Sequence, residues 1–227
     1  MKLNQFIALR PFLYHLTHRD NVDSIINLKR IESAELLSLR VRMQNIETFL
    51  TTKRTVNIRI YNESQTFILR DQAQIKENAL KRSLVNCTYE QFINLVNTKV
   101  FFWPTPKDVT SHFGTYLAEG PRILRFSTSD VFAINEPPMF CKLNSGATRP
   151  HPYYGGNPAP RGLNTFVSVD NLECNLSKIR EVTFSNFCLL PNTYAIAESP
   201  EQEFVQYNIG QLLLIFLYKS LKIRQHI

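Results

Sequence analysis

Phe12-Leu13-Tyr14-His15-Leu16-Thr17 reads as a β-strand, and the residues behind it turn at once into a helix. Thr17 and Asp20 bring the short oxygen-bearing side chains that accept from free N–H groups at a helix start. Val22, Ile25 and Ile26 then recur at helical spacing. The opening unit is therefore strand, tight turn, helix. His15 and Thr17 stand two apart on the strand, so they share a face.

Working outward, Val56, Ile58 and Ile60 alternate with Asn57 and Arg59 as a half-buried strand. Asn62-Glu63-Ser64 reads as a turn, and Thr66 to Leu69 as a second strand ending in Arg70-Asp71-Gln72. A helix is expected over Ile75 to Leu84. Another is opened by Thr88 and Gln91 as a capping box and runs through Val96. Lys99 to Trp103 is an aromatic strand stopped by Pro104 and Pro106, and Ile123 to Phe126 is a further strand. Residues 135 to 162, rich in Pro, Gly and Asn, predict a long irregular stretch. Ile179 to Phe184 alternates as a late strand and carries Glu181. Ser199-Pro200-Glu201-Gln202 has the chemistry of a helix start, with an apolar helix expected over Leu212 to Leu221. There is no internal repeat. The chain predicts one mixed α and β domain over residues 1–227.

Of the 227 residues, 44% are hydrophobic and 20% charged, the balance of a chain that buries a core. Lys and Arg number 26 against 19 Asp and Glu, a net charge of +7 that attracts polyanions such as nucleic acid. Cys87, Cys141, Cys174 and Cys188 form no C-x-x-C pair, so neither a zinc site nor a disulfide scaffold is expected, and no metal is called for. The first residues lack the plan of a signal peptide. The longest apolar run, Leu212 to Tyr218, falls far short of the roughly 20 residues that span a bilayer. A cytoplasmic location without membrane contact is expected.

The chain has no phosphate loop, dinucleotide fingerprint, nucleophile elbow or H-E-x-x-H. What it has is a constellation in a fixed order. Tyr14-His15-Leu16-Thr17-His18 precedes Asn21 and Ile25. Val100 to Pro106 is an aromatic strand with prolines behind it, followed by Ser111, His112 and Tyr116. Arg180-Glu181-Val182-Thr183-Phe184 comes late. These residues resemble the DarT-like ADP-ribosyltransferase toxins and, more distantly, the diphtheria-toxin and poly-ADP-ribose polymerase group. The resemblance follows these landmarks over most of the chain while the sequence between them diverges. It implies an α+β, ADP-ribosyltransferase-like fold with central split antiparallel β-sheets flanked by helices.

The resemblance also implies the chemistry. NAD would be the co-substrate, with Glu181 as the catalytic carboxylate and Arg70 as the functional arginine. His15, Leu16, Thr17, Ser24, Phe102 and Tyr116 would bind NAD. Arg54 and Arg59 compete with Arg70, and His112 competes with Tyr116 as the stacking ring. The residue types suit such a reaction. A carboxylate stabilises a cationic sugar and takes a proton from the attacking base. A guanidinium clamps diphosphate, and an aromatic face holds nicotinamide. The acceptor implied is a base of single-stranded RNA or DNA. Arg149 to Arg161, with Tyr153 and Tyr154, has the charge and the rings to hold one. A cognate antitoxin is implied as partner, in a toxin-antitoxin system of phage defence. Alternatives are a protein-directed transferase, an NAD glycohydrolase and a catalytically silent nucleic-acid-binding module.

Overall fold

The computed structural model describes residues 2–61 and 65–208. In chain order these form α1 (Lys2–Leu9), β1 (Phe12–Thr17), α2 (Val22–Leu28), β2 (Arg30–Glu32), α3 (Ala34–Arg40), α4 (Ile46–Thr51), β3 (Ile58–Tyr61) and β4 (Thr66–Leu69). They continue with α5 (Glu77–Ser83), α6 (Tyr89–Asn97), β5 (Lys99–Phe102), α7 (Pro106–Thr115), β6 (Arg122–Ser127), α8 (Thr128–Ile134) and β7 (Met139–Cys141). The last elements are β8 (Glu181–Ser185), β9 (Phe187–Leu189), β10 (Thr193–Ala197) and β11 (Val205–Asn208). The architecture is α+β, with helices packed on antiparallel sheets.

Among the described residues one sheet has the order β1-β6-β10-β11 and a second the order β5-β8-β7. Shorter ribbons pair β2 with β9 and β3 with β4. A backbone bridge joins the two larger sheets. Tyr14 and Trp103 exchange both backbone hydrogen bonds, at 2.9 and 2.8 Å, where β1 passes the end of β5. Pro104, which cannot donate to a ladder, follows the bridge directly and stops further pairing. The bridge sets the face of β1 carrying His15 beside the aromatic strand.

The main core lies between these sheets. Leu13, Val100, Phe102, Leu124, Phe126, Phe140, Val182 and Phe184 pack together, joined by Phe6 of α1 and Ile25 of α2. Phe102 meets Phe126 and Phe184 edge to face, the geometry that the ring quadrupole favours. The expected capping box forms: the N–H of Gln91 donates to Thr88 Oγ1 at 3.2 Å and the N–H of Thr88 to Gln91 Oε1 at 2.9 Å.

One expected element takes another form. Ser199-Pro200-Glu201-Gln202 is a turn, closed by the Gln202 N–H on the Ser199 carbonyl at 3.3 Å, and it feeds β11. Ser followed by Pro suits the first two positions of a turn as well as a helix start. Antiparallel pairing of Thr193–Ile196 with Val205–Asn208 demands the reversal here. The turn expected at Asn62-Glu63-Ser64 and the helix expected over Leu212 to Leu221 lie outside the described residues. Among the described residues no helix is long and apolar enough to cross a membrane.

Candidate active site

Two clefts open where the sheets meet, and they share a wall. The larger, about 520 Å³, is lined by Glu181 on β8, His112 and Tyr116 at the end of α7, and the segment Asn144–Pro150. The smaller, about 250 Å³, is lined by His15, Leu16 and Thr17 of β1, with Asn21 and Glu32. Arg70, Phe101 and Trp103 line both.

Glu181 begins the central strand of its sheet, paired with Cys141, and is 2% exposed. Both carboxylate oxygens lie 3.1 Å from the N–H of Ser145. Burial pushes the Glu181 carboxyl up to about 7, although the Ser145 hydrogen bonds and the Arg161 guanidinium favour its charged form. Arg161, 4% exposed, donates from Nη1 to the Ser145 carbonyl at 2.6 Å and so fixes the residue that holds Glu181. Arg161 is itself stitched to the end of α5: its N–H donates to the Ser83 carbonyl, and its carbonyl accepts from Val85. Gly162 follows because a Cβ there would stand 2.2 Å from the Val85 carbonyl oxygen.

His15 sits across the shared wall. Its Nδ1 lies 2.9 Å from the Phe101 carbonyl oxygen, which can only accept, so Nδ1 bears the proton and Nε2 the lone pair. Burial lowers the His15 imidazole to about 4, and the nearby Arg70 charge acts the same way, so the ring is neutral. His112 is neutral for the same reasons, again lowered to about 4. Its Nε2 accepts from the Asn144 amide at 2.7 Å, and its ring lies 4.4 Å from that of Trp103.

Arg70 is the arginine at the junction. Its guanidinium lies 4.0 Å above the Tyr116 ring, and its Nε donates to Glu119 at 3.3 Å. Its Nη2 is buried and has no acceptor. Asp71 does not pair with it; that carboxylate accepts from the N–H of Ala73 at 2.7 Å. The rival arginines are more fully engaged. Arg54 also lines the smaller cleft, where it donates from Nε to the Arg70 carbonyl at 3.0 Å and from Nη1 to Asn97 at 2.7 Å. Arg59 pairs with Asp20 at 3.2 Å on the surface.

The structure thus brings together Glu181, Arg70, Tyr116, His15, Leu16 and Thr17. Thr17 is buried and accepts from the Asn21 amide at 3.1 Å, while Asn21 also grips the main chain of Ile68 on β4. Two expected NAD contacts fall elsewhere. Ser24 donates its hydroxyl to the Thr66 carbonyl at 3.2 Å, tying α2 to β4, and lines neither cleft. Phe102 is wholly buried in the core, and the cleft-facing rings of its strand are Phe101 and Trp103. The period of a strand dictates this split. Its signal was present in Lys99, whose charge marks the open face shared with Phe101 and Trp103.

A family model, the DUF7002 family of unknown function, matches residues 11–188, well over half of the chain and every residue just described. The chain belongs to the DUF7002 family. No curated protein and no solved structure significantly matches it. In this DUF7002 chain the sequence does not mark Asn144 and Ser145 as supports, and Arg161, expected to help hold an acceptor strand, is instead buried with its guanidinium on the Ser145 carbonyl. They sit in the irregular stretch, where no periodicity marks them, and their contacts with His112, Ser145 and Glu181 span 16 to 36 residues. Among the described residues no cluster of His, Cys, Asp or Glu is arranged to hold a metal ion.

Proposed function

We propose that this DUF7002 protein is an NAD-dependent ADP-ribosyltransferase acting on a base of single-stranded nucleic acid. The observation that carries the reading is Glu181: a buried carboxyl, held near neutrality, lining a cleft large enough for part of a dinucleotide. A general base works best when its pKa lies near the working pH. The split between two antiparallel sheets bridged at Tyr14 and Trp103 supports the ADP-ribosyltransferase-like fold that the sequence resembles.

NAD would supply a ribosyl carbon bonded to a cationic leaving group. Around it the chain's own residues have distinct tasks. Glu181, once ionised, stabilises positive charge on the sugar and accepts the proton that the acceptor base releases on bonding to that carbon. Neutral His15 offers Nε2 as an acceptor for a hydroxyl or amide N–H in the smaller cleft. Tyr116, Phe101 and Trp103 supply ring surface for nicotinamide.

The acceptor reading draws on the +7 charge and on the residues beyond the cleft rim. Arg149 and Pro150 line the larger cleft, and the chain then rises through a short turn at Pro152–Tyr154. Tyr153 is 82% exposed there and packs edge to face on Tyr154. An exposed ring four residues from the cleft-lining Arg149 suits base stacking along a single strand. A transferase of this kind is toxic to its own cell, so a cognate antitoxin and a role in phage defence belong to the same proposal.

The test offers radiolabelled NAD with single-stranded DNA, RNA or total cell protein to the purified chain and to Glu181→Gln. Label on one nucleic acid, lost in the variant, is the expected result. Label on protein would move the reading to a protein-directed transferase. Nicotinamide release without label would make the chain a glycohydrolase. Neither label nor nicotinamide would leave a nucleic-acid-binding module.

A further inference from the structure

A third cavity, about 340 Å³, shares no lining residue with either cleft. It forms beside β7, the outer strand of its sheet. Phe140 of β7 and Val167 exchange both backbone hydrogen bonds, at 2.7 and 3.0 Å, a single bridge that joins the chain beyond Arg161 to that strand. Phe140, Val167 and Leu172 give the cavity an apolar lining, with Asn164 and Asn171 as polar points. Arg161 lines it too. That residue is 4% exposed, yet among the described residues it forms no ion pair. Its Nε donates to the Ala159 carbonyl at 3.2 Å and its Nη1 to the Ser145 carbonyl at 2.6 Å. Nη2 has no acceptor among the described residues and, unlike Nη2 of Arg70, is not sealed from solvent. The two acidic groups whose field reaches the guanidinium are both poor counter-ions. Glu181 is held on the Ser145 N–H and keeps its proton below about neutral pH, and burial pushes the Cys141 thiol up. Buried charges in proteins are paired. A buried guanidinium with neutral partners and N–H donors to spare, on the wall of a cavity, is half of a pair whose other half is an anion.

We propose that this cavity binds a small organic monocarboxylate with an apolar body, its carboxylate on Arg161 and its body against Phe140, Val167 and Leu172. The charges around the cavity select a single negative charge. Lys142 and Glu173, both exposed, line it with opposite signs and leave the Arg161 charge in excess. A planar carboxylate also matches one edge of a guanidinium. The volume lies near the lower end of the roughly 300–1,000 Å³ of small-molecule sites, so it suits a compact ligand and not a polymer strand. The site goes beyond the function proposed above and does not rest on it. It does touch the same machinery, because the guanidinium that takes the carboxylate also fixes Ser145, the residue holding Glu181. A bound ligand therefore steadies Ser145 from behind.

Octanoate serves as the probe, a single carboxylate on a flexible apolar chain. Calorimetry on the full chain at neutral pH should show saturable binding at one site. Octanamide, the same body without the charge, should bind about ten-fold more weakly or worse, the loss of a charge-assisted hydrogen bond. Inorganic phosphate, an anion without the body, should not displace octanoate. Arg161→Met should lose the preference for octanoate over octanamide, and Arg59→Gln, which removes the same charge from the exposed pair with Asp20, should keep it. The thiols give a readout that needs no variant and so guards against misfolding of Arg161→Met. Cys174 and Cys87 are both half-buried, and of the two only Cys174 lines the cavity. Octanoate should slow iodoacetamide labelling of Cys174 several-fold and leave Cys87 unchanged. Hydrogen exchange at the Ser145 amide should slow as well.

The proposal is overturned if octanoate does not saturate, if octanamide binds as well, if phosphate displaces octanoate, if a folded Arg161→Met keeps the preference, or if Cys174 is not protected. Unchanged exchange at Ser145 would overturn the link to that residue. No step of these measurements requires turnover of NAD. Transfer activity without octanoate binding would therefore sink this inference alone, and binding without transfer would sink only the proposed activity.

Discussion

Replacing Glu181 with Gln should make the fold progressively more stable, relative to wild type, as pH rises from 4.5 to 8. The Glu181 carboxyl moves from an ordinary 4.5 to about 7 on folding. Between those values the folded chain holds a proton that the unfolded chain has released, so stability falls as pH rises through the window. At 1.36 kcal/mol per unit, the shift corresponds to about 3 kcal/mol by pH 8. Gln cannot ionise and escapes that loss. His15 and His112 act in the opposite sense. Each is lowered from 6.5 to about 4, so its contribution is complete above 6.5 and is lost as pH falls toward 4. Both histidines are present in both proteins, so their contributions cancel in the difference. Any fixed cost of setting an amide beside Ser145 is the same at every pH and drops out of the slope. Urea denaturation of the two proteins at half-unit steps from pH 4.5 to 8.5 would measure the effect. In thermal scans, about 3 kcal/mol corresponds to roughly 6–12 °C for a chain of this size. A difference between the two proteins that stays constant with pH would refute the argument that burial holds Glu181 protonated.

Three further outcomes are expected. If Glu181 acts as the base, transfer activity should rise tenfold per pH unit below about 7 and level above it, and a pH-independent rate would remove Glu181 from that role. Gly162→Ala forces a Cβ against the Val85 carbonyl oxygen at 2.2 Å; it should cost about 2 kcal/mol or more by denaturation and also lower activity, because Arg161 next door fixes Ser145. Unchanged stability there would mean that the backbone of the Leu84–Arg161 bridge yields freely. Glu32→Gln strands two cations, since Arg30 pairs at 2.6 Å with the same buried carboxylate oxygen to which Arg40 donates; a loss of about 3–5 kcal/mol should appear in chemical denaturation.

Local chemistry was legible wherever a signal closes within a few residues. The strand at Phe12–Thr17, the capping box at Thr88 and Gln91, the aromatic strand halted by Pro104 and the late strand with Glu181 are each written in neighbouring side chains. Their spacing settles backbone geometry and the face that each residue shares. The same local rules misread Ser199–Gln202, because Ser-Pro serves a turn as readily as a helix and only the pairing of β11 with β10 chooses between them.

Which face of a strand turns inward, and what meets it there, are decided by packing across the whole chain. Phe102 goes to the core and Trp103 to the clefts because β5 lies against β8 in one register and not the next. Arg70 stands out from Arg54 and Arg59 only because Tyr116 and Glu119, some 46 and 49 residues away, hold its guanidinium at the shared wall. Glu181 carries an ordinary carboxyl in the sequence. Its proton affinity comes from burial beneath Ser145 and Arg161, and burial is a property of the assembled core that no single stretch of residues contains.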